Sequence, residues 1–193
     1  VVNGEAGVSD AMAARVRRAA SQLGYRPNMA ASSLRRSDRR TATVGLLLQD
    51  LSNPFSASLF RAIEDVARTR GVAVIAGSVD EDVYRERALV AEFVSRRVDG
   101  IVIAPVAPDQ SGLMAERRAG LPVVFVDRRP PHVDLDAVVV DNREGAYAGT
   151  VHLMASGHRR IAFLGDDASI TTATQRLEGY LRALHDHGIA HDP

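Results

Sequence analysis

The chain has 193 residues, of which 46% are hydrophobic, and a formal net charge of zero. It contains no cysteine, which excludes disulfides, thiolate catalysis and cysteine-based zinc sites. No apolar run reaches the roughly 18 residues that a membrane span needs, and the first residues lack the basic and apolar segments of an export signal.

The net charge of zero conceals an uneven distribution along the chain. Residues 1–43 carry eight arginines against three acidic residues, whereas residues 44–193 carry sixteen arginines against twenty-one acidic residues. A basic segment ahead of an acidic body is typical of a protein whose first segment meets a polyanion. On charge alone, a merely soluble basic surface explains the pattern equally well.

Residues 9–23 form the first predicted helix. Ser9 is a suitable N-cap, apolar residues recur at helical spacing, and Gly24 and Pro27 provide the stop. The run PNMAASSLRR at 27–36 is shorter than the roughly 12–15 residues that even a marginal isolated helix needs in water. On its residue pattern alone, this run is best interpreted as a solvated linker.

From residue 43 onwards, short apolar runs alternate with amphipathic stretches. The runs at 44–50, 72–79, 100–106 and 122–128 are typical of strands buried on both faces of a parallel sheet. Helical periodicity separates them at 56–70, 83–97 and 110–119. The alternation predicts an α/β doubly wound open sheet.

The same alternation resumes after the proline-rich segment 128–136, which we interpret as the joint between two lobes. Strands are predicted at 137–142 and 161–166, and helices at 144–156 and at about 174–187. No glycine-rich phosphate loop and no nucleophile elbow occurs, so no cofactor is predicted. The spacing of the histidines near the end does not place them on one helix face, and no metal site is predicted.

Ligands of open parallel sheets bind outside the carboxyl ends of the strands. Asp50, Asn53 and Phe55 follow the first strand, and carboxylate, amide and aromatic groups together suit a small polyhydroxylated ligand. Aspartates at strand ends also serve as helix caps or turn formers. We prefer that interpretation for Asp80 and Asp141.

Several stretches, taken together, resemble the lactose-repressor (LacI/GalR) family of transcriptional regulators. VSDAMAARVRRAASQLGYRPNMAASSLRR resembles the last headpiece helix and hinge of that family, and TVGLLLQDLSNPF the start of its effector-binding core. RRVDGIVIAP and PVVFVDR resemble its third and fourth strands, and ASGHRRIAFLGD with QRLEGYLRAL its second lobe. The match runs in one order over essentially the whole chain.

The resemblance implies a periplasmic-binding-protein-like, two-lobed parallel-sheet core preceded by a partial helical headpiece and a hinge helix. It assigns residues 1–26 to the end of a helix-turn-helix headpiece and 27–42 to the hinge helix and linker. Residues 43–133 become the first lobe and 134–193 the start of the second. Because the family's recognition helix would precede VVN and much of its second lobe would follow Pro193, we expect truncation at both ends.

The resemblance also implies DNA contacts by the hinge. Leu34 is expected to wedge into a base step of the minor groove, and Ala31 to let the backbone approach closely. Asn28, Arg35 and Arg36 are expected to contact the DNA backbone or the groove edges. A segment this short can stay disordered until DNA orders it.

For the effector cleft, the resemblance favours ligand contact by Asp127 and by Arg176 in QRLEGY. The planar guanidinium of Arg176 can pair two ligand oxygens at once. Thr172 and Thr174 are candidates for additional hydroxyl contacts. The sequence departs from the family's sugar and purine readers at individual positions, so the effector is left open.

The function implied is that of a cytoplasmic bacterial regulator, expected to be a repressor and not an enzyme. It would bind a palindromic double-stranded operator as a dimer, and a sugar-like effector between its lobes. The alternative is a periplasmic-type sugar-binding protein without DNA binding, which has no use for residues 1–43. An enzyme that uses Asp50 and Asp127 as acid and base would lack a nucleophile, a metal cluster and a cofactor loop.

Overall fold

The computed structural model describes residues 8–25, 40–130 and 133–191. In chain order these form α1 (Asp10–Gln22), β1 (Thr43–Leu48), α2 (Pro54–Thr69), β2 (Ala73–Ser78), α3 (Val83–Ser95), β3 (Gly100–Ile103), α4 (Ser111–Arg118), β4 (Val123–Val126), β5 (Ala137–Val138), α5 (Asn142–Ala155) and α6 (Thr171–Asp186). No helix within those ranges is long and apolar enough to cross a membrane.

Helix α1 begins and ends where the sequence predicts. The Ser9 hydroxyl accepts a hydrogen bond from the Met12 N–H at 3.4 Å and caps the first turn. Gly24 follows the helix with φ of +60°, and the Tyr25 N–H returns to the Ala20 carbonyl at 2.8 Å. A glycine in the left-handed conformation is a common way to end a helix because it carries no Cβ.

The strands form one parallel sheet with the order β2-β1-β3-β4-β5. Strand β1 lies between β2 and β3, so that Leu47 is aligned with Gly77 on one side and with Ile103 on the other. Parallel neighbours require crossover connections, which the helices α2 to α4 supply for the strands β1 to β4. The predicted α/β fold with a parallel sheet is confirmed.

The sheet is buried on both faces, which explains the nearly continuous apolar runs in the sequence. On one face, Leu47 packs in a cluster with Phe93 of α3 and Leu113 of α4. On the other face, Leu46 and Leu48 belong to a second cluster that includes Leu59, Phe60 and Ile63 of α2. Successive β1 side chains therefore serve opposite layers of helices.

The second half of the chain is built around the pair α5 and α6. Met154 of α5 and Tyr180, Ala183 and Leu184 of α6 form its buried cluster. The Tyr180 ring stacks on Phe163 with ring centroids 5.3 Å apart. The Tyr180 hydroxyl donates to the Ile161 carbonyl at 2.7 Å, which ties the segment before α6 to that helix.

One strand prediction in this half is wrong, and another holds only in part. Residues 161–166 form no strand in the described structure, and Leu164 is fully exposed. Of the predicted strand 137–142, only Ala137–Val138 pairs, and it pairs with β4. An apolar run indicates a capacity for burial, but a strand also needs a neighbour to satisfy its backbone groups, and periodicity does not identify one.

Candidate ligand-binding site between the two lobes

A cavity of about 590 Å³ lies at the carboxyl edge of the sheet. Its first wall comes from the loops after β2, β3 and β4, which contribute Glu81, the segment 105–108 and Arg128. Its second wall comes from the segment before α6 and from the start of that helix, including Asp166, Asp167 and Thr171. The position and volume are those of a small-molecule site in an open parallel sheet.

A bidentate ion pair joins two loops of the first wall. Arg128 donates through Nη1 to Glu81 Oε2 at 2.9 Å and through Nη2 to Glu81 Oε1 at 2.7 Å. The Arg128 side chain is only 11% exposed, and its Nε lies 3.9 Å from Asp127 Oδ2. That Nε is buried without a hydrogen-bond partner among the residues that the structure describes. The pair thus fixes one face of the cavity.

Backbone conformation at the strand ends positions this ion pair. Asp80, Glu81 and Asp127 have φ values of 50°, 57° and 63°, all in the left-handed region. A non-glycine residue held in this region costs on the order of 1–3 kcal/mol. The resulting sharp turns after β2 and β4 bring Glu81 and Arg128 together. Strain of this kind is typical of functional sites, where the surrounding structure maintains it.

The second wall is acidic. The Asp167 Oδ1 accepts the Ser169 N–H at 2.8 Å, and Asp166 Oδ1 accepts the Asp167 N–H at 2.8 Å. Hydrogen bonds from the Ser169 side chain and backbone lower the pKa of the exposed Asp167 carboxyl. Asp167 is therefore a carboxylate at neutral pH, and it presents acceptor oxygens at the cavity.

A smaller adjoining cavity of about 360 Å³ brings together two of the predicted site residues. Asp127, at the end of β4, and the buried Thr172, in the first turn of α6, both line it. It shares Arg128, Arg129 and Thr171 with the larger cavity. The predicted ligand contacts of Asp127 and Thr172 remain predictions.

Arg176 lies on α6 and is tied to α5. Its Nε donates to Asn142 Oδ1 at 2.8 Å, and Asn142 is buried. The Thr174 hydroxyl donates to the Ala168 carbonyl at 3.0 Å, which secures the segment that leads into α6. Neither Arg176 nor Thr174 lines the larger or the smaller cavity as the structure describes them. Their predicted effector contacts remain predictions.

The predicted site residues after β1 organise the start of α2. Both Asp50 oxygens accept hydrogen bonds from Ser52, at 2.7 Å from its N–H and 2.7 Å from its hydroxyl. These bonds, that of the hydroxyl foremost, lower the pKa of Asp50. Asn53 Oδ1 accepts the Phe55 N–H at 2.9 Å and caps α2, and Phe55 is half exposed. Their roles in binding likewise remain predictions.

The two aspartates interpreted as caps or turn formers behave as such. Asp141 Oδ1 accepts the Glu144 N–H at 3.0 Å and caps α5. Asp80 lies in the turn that follows β2. Both interpretations are confirmed.

Sequence reasoning missed Glu81, Arg128, Asp166 and Asp167 as residues of the cavity. Glu81 and Arg128 each follow directly after an aspartate that lies at the carboxyl end of a predicted strand. Extending the search for ligand-binding residues by one position beyond each strand end, past Asp80 and past Asp127, would have found both. The predicted DNA contacts, namely Asn28, Ala31, Leu34, Arg35 and Arg36, lie outside the described residues.

A parallel sheet with a ligand-sized cavity between its carboxyl edge and a second, helical segment is the arrangement found in periplasmic-binding-protein-like sensor domains. Residues 41–193 match the family model described as periplasmic binding proteins and sugar binding domain of LacI family. The chain therefore belongs to the LacI family, and the resemblance found in the sequence is confirmed.

Three relatives show how far the similarity extends. The maltose regulon regulatory protein MalI of Escherichia coli is 35% identical over 193 residues, which cover 98% of this chain and 55% of MalI. The transcriptional regulator GalR of the same organism is 33% identical over 192 residues, again 98% of this chain and 55% of GalR. The chain spans about half the length of these curated relatives.

The third relative is a solved structure. It is the Cra transcriptional dual regulator of Pseudomonas putida in complex with fructose 1-phosphate, which superposes with a TM-score of 0.71 at 30% identity. The superposition covers 75% of this chain and 54% of the Cra chain.

Proposed function

We propose that this chain is part of an effector-responsive transcriptional regulator that binds DNA and, between its lobes, a small sugar-like effector. The observation that carries the proposal is the cavity at the carboxyl edge of the sheet, walled by both halves of the chain. Relatives named as a transcriptional regulator and as a regulon regulatory protein each match 98% of the chain, including residues ahead of the matched sensor domain. A related regulator was solved with a phosphorylated sugar.

The proposal assigns a role to each part of the chain. Residues 1–26 belong to a helix-turn-helix headpiece, 27–42 to the hinge helix and linker, 43–133 to the first lobe and 134–193 to the second. The protein acts in the bacterial cytoplasm, represses its operator and has no enzymatic activity. The naming of its relatives as regulators supports the last point.

Regulation follows from linkage between two sites. An effector between the lobes changes their relative angle, and in a dimer this changes the separation of the two hinges on a palindromic operator. The effector shifts DNA binding only by the ratio of its affinities for the two arrangements. In this mechanism Asp127, Thr172 and Arg176 contact the effector, and Leu34 contacts the DNA.

A thermal-shift screen with sugars, polyols and nucleobases tests the effector site. We expect at least one compound to raise the melting temperature, because a ligand that binds only the folded state stabilises it by mass action. The response is expected to fall in Asp127→Asn and Arg176→Ala. Arg61→Ala is the matched control, because Arg61 is an exposed arginine on α2 and pairs with Glu64 and Asp65. An undiminished response in both site variants would contradict the assignment of these residues.

Binding to a duplex selected from a random pool tests the DNA site. We expect affinity to fall steeply with salt, since cations bound to phosphates are released on protein binding. Leu34→Ala is expected to weaken binding at fixed salt while leaving the effector response unchanged. Equal affinity in Leu34→Ala would remove the wedge assignment. A protein that binds a sugar but neither heparin nor any duplex would favour the periplasmic-type alternative.

A further inference from the structure

We propose that the cavity between the lobes selects an uncharged, polyhydroxylated sugar over the phosphate ester of the same sugar. This inference rests on the proposed function and narrows it to one chemical class of effector. A preference for the uncharged sugar would distinguish this chain from the related regulator that was solved with fructose 1-phosphate. The distribution of charge around the cavity, and the partners already held by its arginines, carry the argument.

Carboxylates outnumber cations in the walls. The larger cavity is lined by three acidic side chains, Glu81, Asp166 and Asp167, against two arginines, Arg128 and Arg129. The adjoining cavity adds Asp127 and Asp141 against Arg143. A phosphate dianion would therefore enter a region with an excess of negative charge, where like charges repel.

The arginines are also engaged with protein acceptors. Arg128 directs both terminal nitrogens at Glu81 in a bidentate pair, and little of its side chain is exposed. Arg129 Nη2 donates to the Leu135 carbonyl at 3.0 Å. Arg143 Nε donates to Glu178 Oε2 at 2.8 Å. A phosphate could use Arg128 fully only by displacing Glu81, which would leave that carboxylate beside a second anion.

The acidic side chains suit hydroxyl donors. An ionised carboxylate accepts hydrogen bonds and donates none, whereas a sugar hydroxyl can both donate and accept. Asp166 and Asp167 are exposed at the second wall, where Asp166 accepts one backbone N–H and Asp167 accepts hydrogen bonds from the backbone and side chain of Ser169. Both side chains line the cavity, where they offer acceptors to sugar hydroxyls. The cavity volume of about 590 Å³ accommodates a monosaccharide.

Calorimetric titration with matched pairs tests the proposal on the full chain. The pairs are fructose with fructose 1-phosphate, ribose with ribose 5-phosphate, galactose with galactose 1-phosphate and glucose with glucose 6-phosphate. For any pair that binds, we expect the uncharged sugar to bind about tenfold tighter or more, a difference of roughly 1.4 kcal/mol. Tighter binding of the phosphate ester would overturn the inference and leave the proposed function standing.

Two other results separate this inference from the proposed function. A response to nucleobases with none to sugars would overturn the inference and the sugar-like class of the effector, and leave the effector-responsive regulator standing. An absence of binding by all sugars, polyols and nucleobases would contradict the proposed function, and this inference with it.

Two substitutions test the role of the ion pair. Glu81→Gln removes the bidentate anionic partner of Arg128 and leaves it only the more distant Asp127, and we expect it to shift the affinity ratio towards the phosphate ester by about tenfold. Asp166→Asn removes a wall carboxylate without touching that pair and should shift the ratio in the same direction. Glu92→Gln is the matched control, because the exposed Glu92 of α3 pairs with the exposed Arg96 just beyond that helix. Ratios unchanged in both test variants, with thermal unfolding confirming their folds, would overturn the proposal.

Discussion

The Asp99 carboxylate holds the backbone of Ala42 where the chain enters the sheet. Asp99 Oδ2 accepts the Ala42 N–H at 2.7 Å, and Ala42 has a φ of 52°. The other oxygen, Oδ1, accepts the Thr41 N–H at 2.8 Å and the Thr41 hydroxyl at 3.1 Å. One carboxylate on the loop before β3 thus fixes the two residues that precede β1.

Asp99→Asn is expected to loosen this junction. An amide has one oxygen and one NH₂ group, so one of the two backbone N–H groups loses its acceptor and faces a donor. We expect the free energy of unfolding to fall by about 1–3 kcal/mol, measured by urea denaturation. Hydrogen exchange should also accelerate at the Thr41 and Ala42 amides.

Asp65→Asn is the control for that experiment. Asp65 pairs with Arg61 and Arg68 on the surface of α2, where ion pairs contribute little. An equal loss of stability in the two variants would contradict a specific role for Asp99.

Glu86 is a buried carboxylate that holds the first wall of the cavity. It is 2% exposed, and its Oε2 accepts the Val106 N–H at 2.5 Å and the Ala107 N–H at 3.3 Å. Its Oε1 accepts Gln110 Nε2 at 2.9 Å. Helix α3 therefore positions the loop after β3, whose residues line the cavity.

Glu86→Ala leaves two N–H groups of that loop without an acceptor. We expect a loss of about 2–5 kcal/mol in the free energy of unfolding, and weaker binding of any sugar that stabilises the parent chain. Glu86→Gln should lose less, because its amide oxygen still accepts one of these bonds. If Glu86→Ala kept full sugar affinity, the loop would not depend on Glu86 for its shape.

The strands of the sheet were predictable because each is marked by an apolar run within its own segment of the sequence. Leu46, Leu47 and Leu48 are all buried, and a strand covered on both faces needs such an uninterrupted apolar run. The run at 161–166 has similar composition but no ladder in the described structure. Its strand prediction failed because pairing depends on a neighbouring strand, which composition does not specify.

The candidate site was less predictable for a related reason. Asp127 was selected as a residue at the carboxyl end of a predicted strand, and it lines the smaller cavity. The Arg128 partner, Glu81, lies 47 positions away in the sequence. Their meeting depends on the strand order and on two left-handed turns. Neither feature has a signal in residue periodicity. The two residues could have been selected one by one as neighbours of strand ends, but their pairing could only be found in the structure.

Gly179 is required where α5 and α6 touch. A Cβ placed there would lie 2.1 Å from the Arg143 carbonyl oxygen and 3.0 Å from the Tyr147 backbone nitrogen. Both obstacles are backbone atoms of α5, so they cannot be relieved by a change of rotamer. Gly179→Ala is therefore expected to lower the free energy of unfolding by about 1–3 kcal/mol, as overpacking does, although alanine is the better helix former.

Gly149→Ala is the matched control for Gly179→Ala, measured by the same denaturation. Gly149 lies inside α5, and a Cβ there meets nothing within 4 Å. This variant is expected to gain about 0.5–1 kcal/mol from helix propensity. A gain in both variants would show that the helices separate easily, contrary to the packing described.

The hydrogen bonds between Ser52 and Asp50 predict a pH effect with a definite sign. They lower the pKa of Asp50 in the folded chain, chiefly through the Ser52 hydroxyl. A lowered folded-state pKa adds stability above the unfolded-state value, and this stability is lost as the pH falls through the folded-state pKa. Ser52→Ala removes the hydroxyl donor, so the pKa of Asp50 should rise towards its ordinary value when followed by NMR titration. Ser169→Ala should do the same to Asp167, whose pKa Ser169 lowers, and leave Asp50 unchanged. A titration of Asp50 that moved equally in both variants would show that the shift comes from general charge and not from the Ser52 hydroxyl.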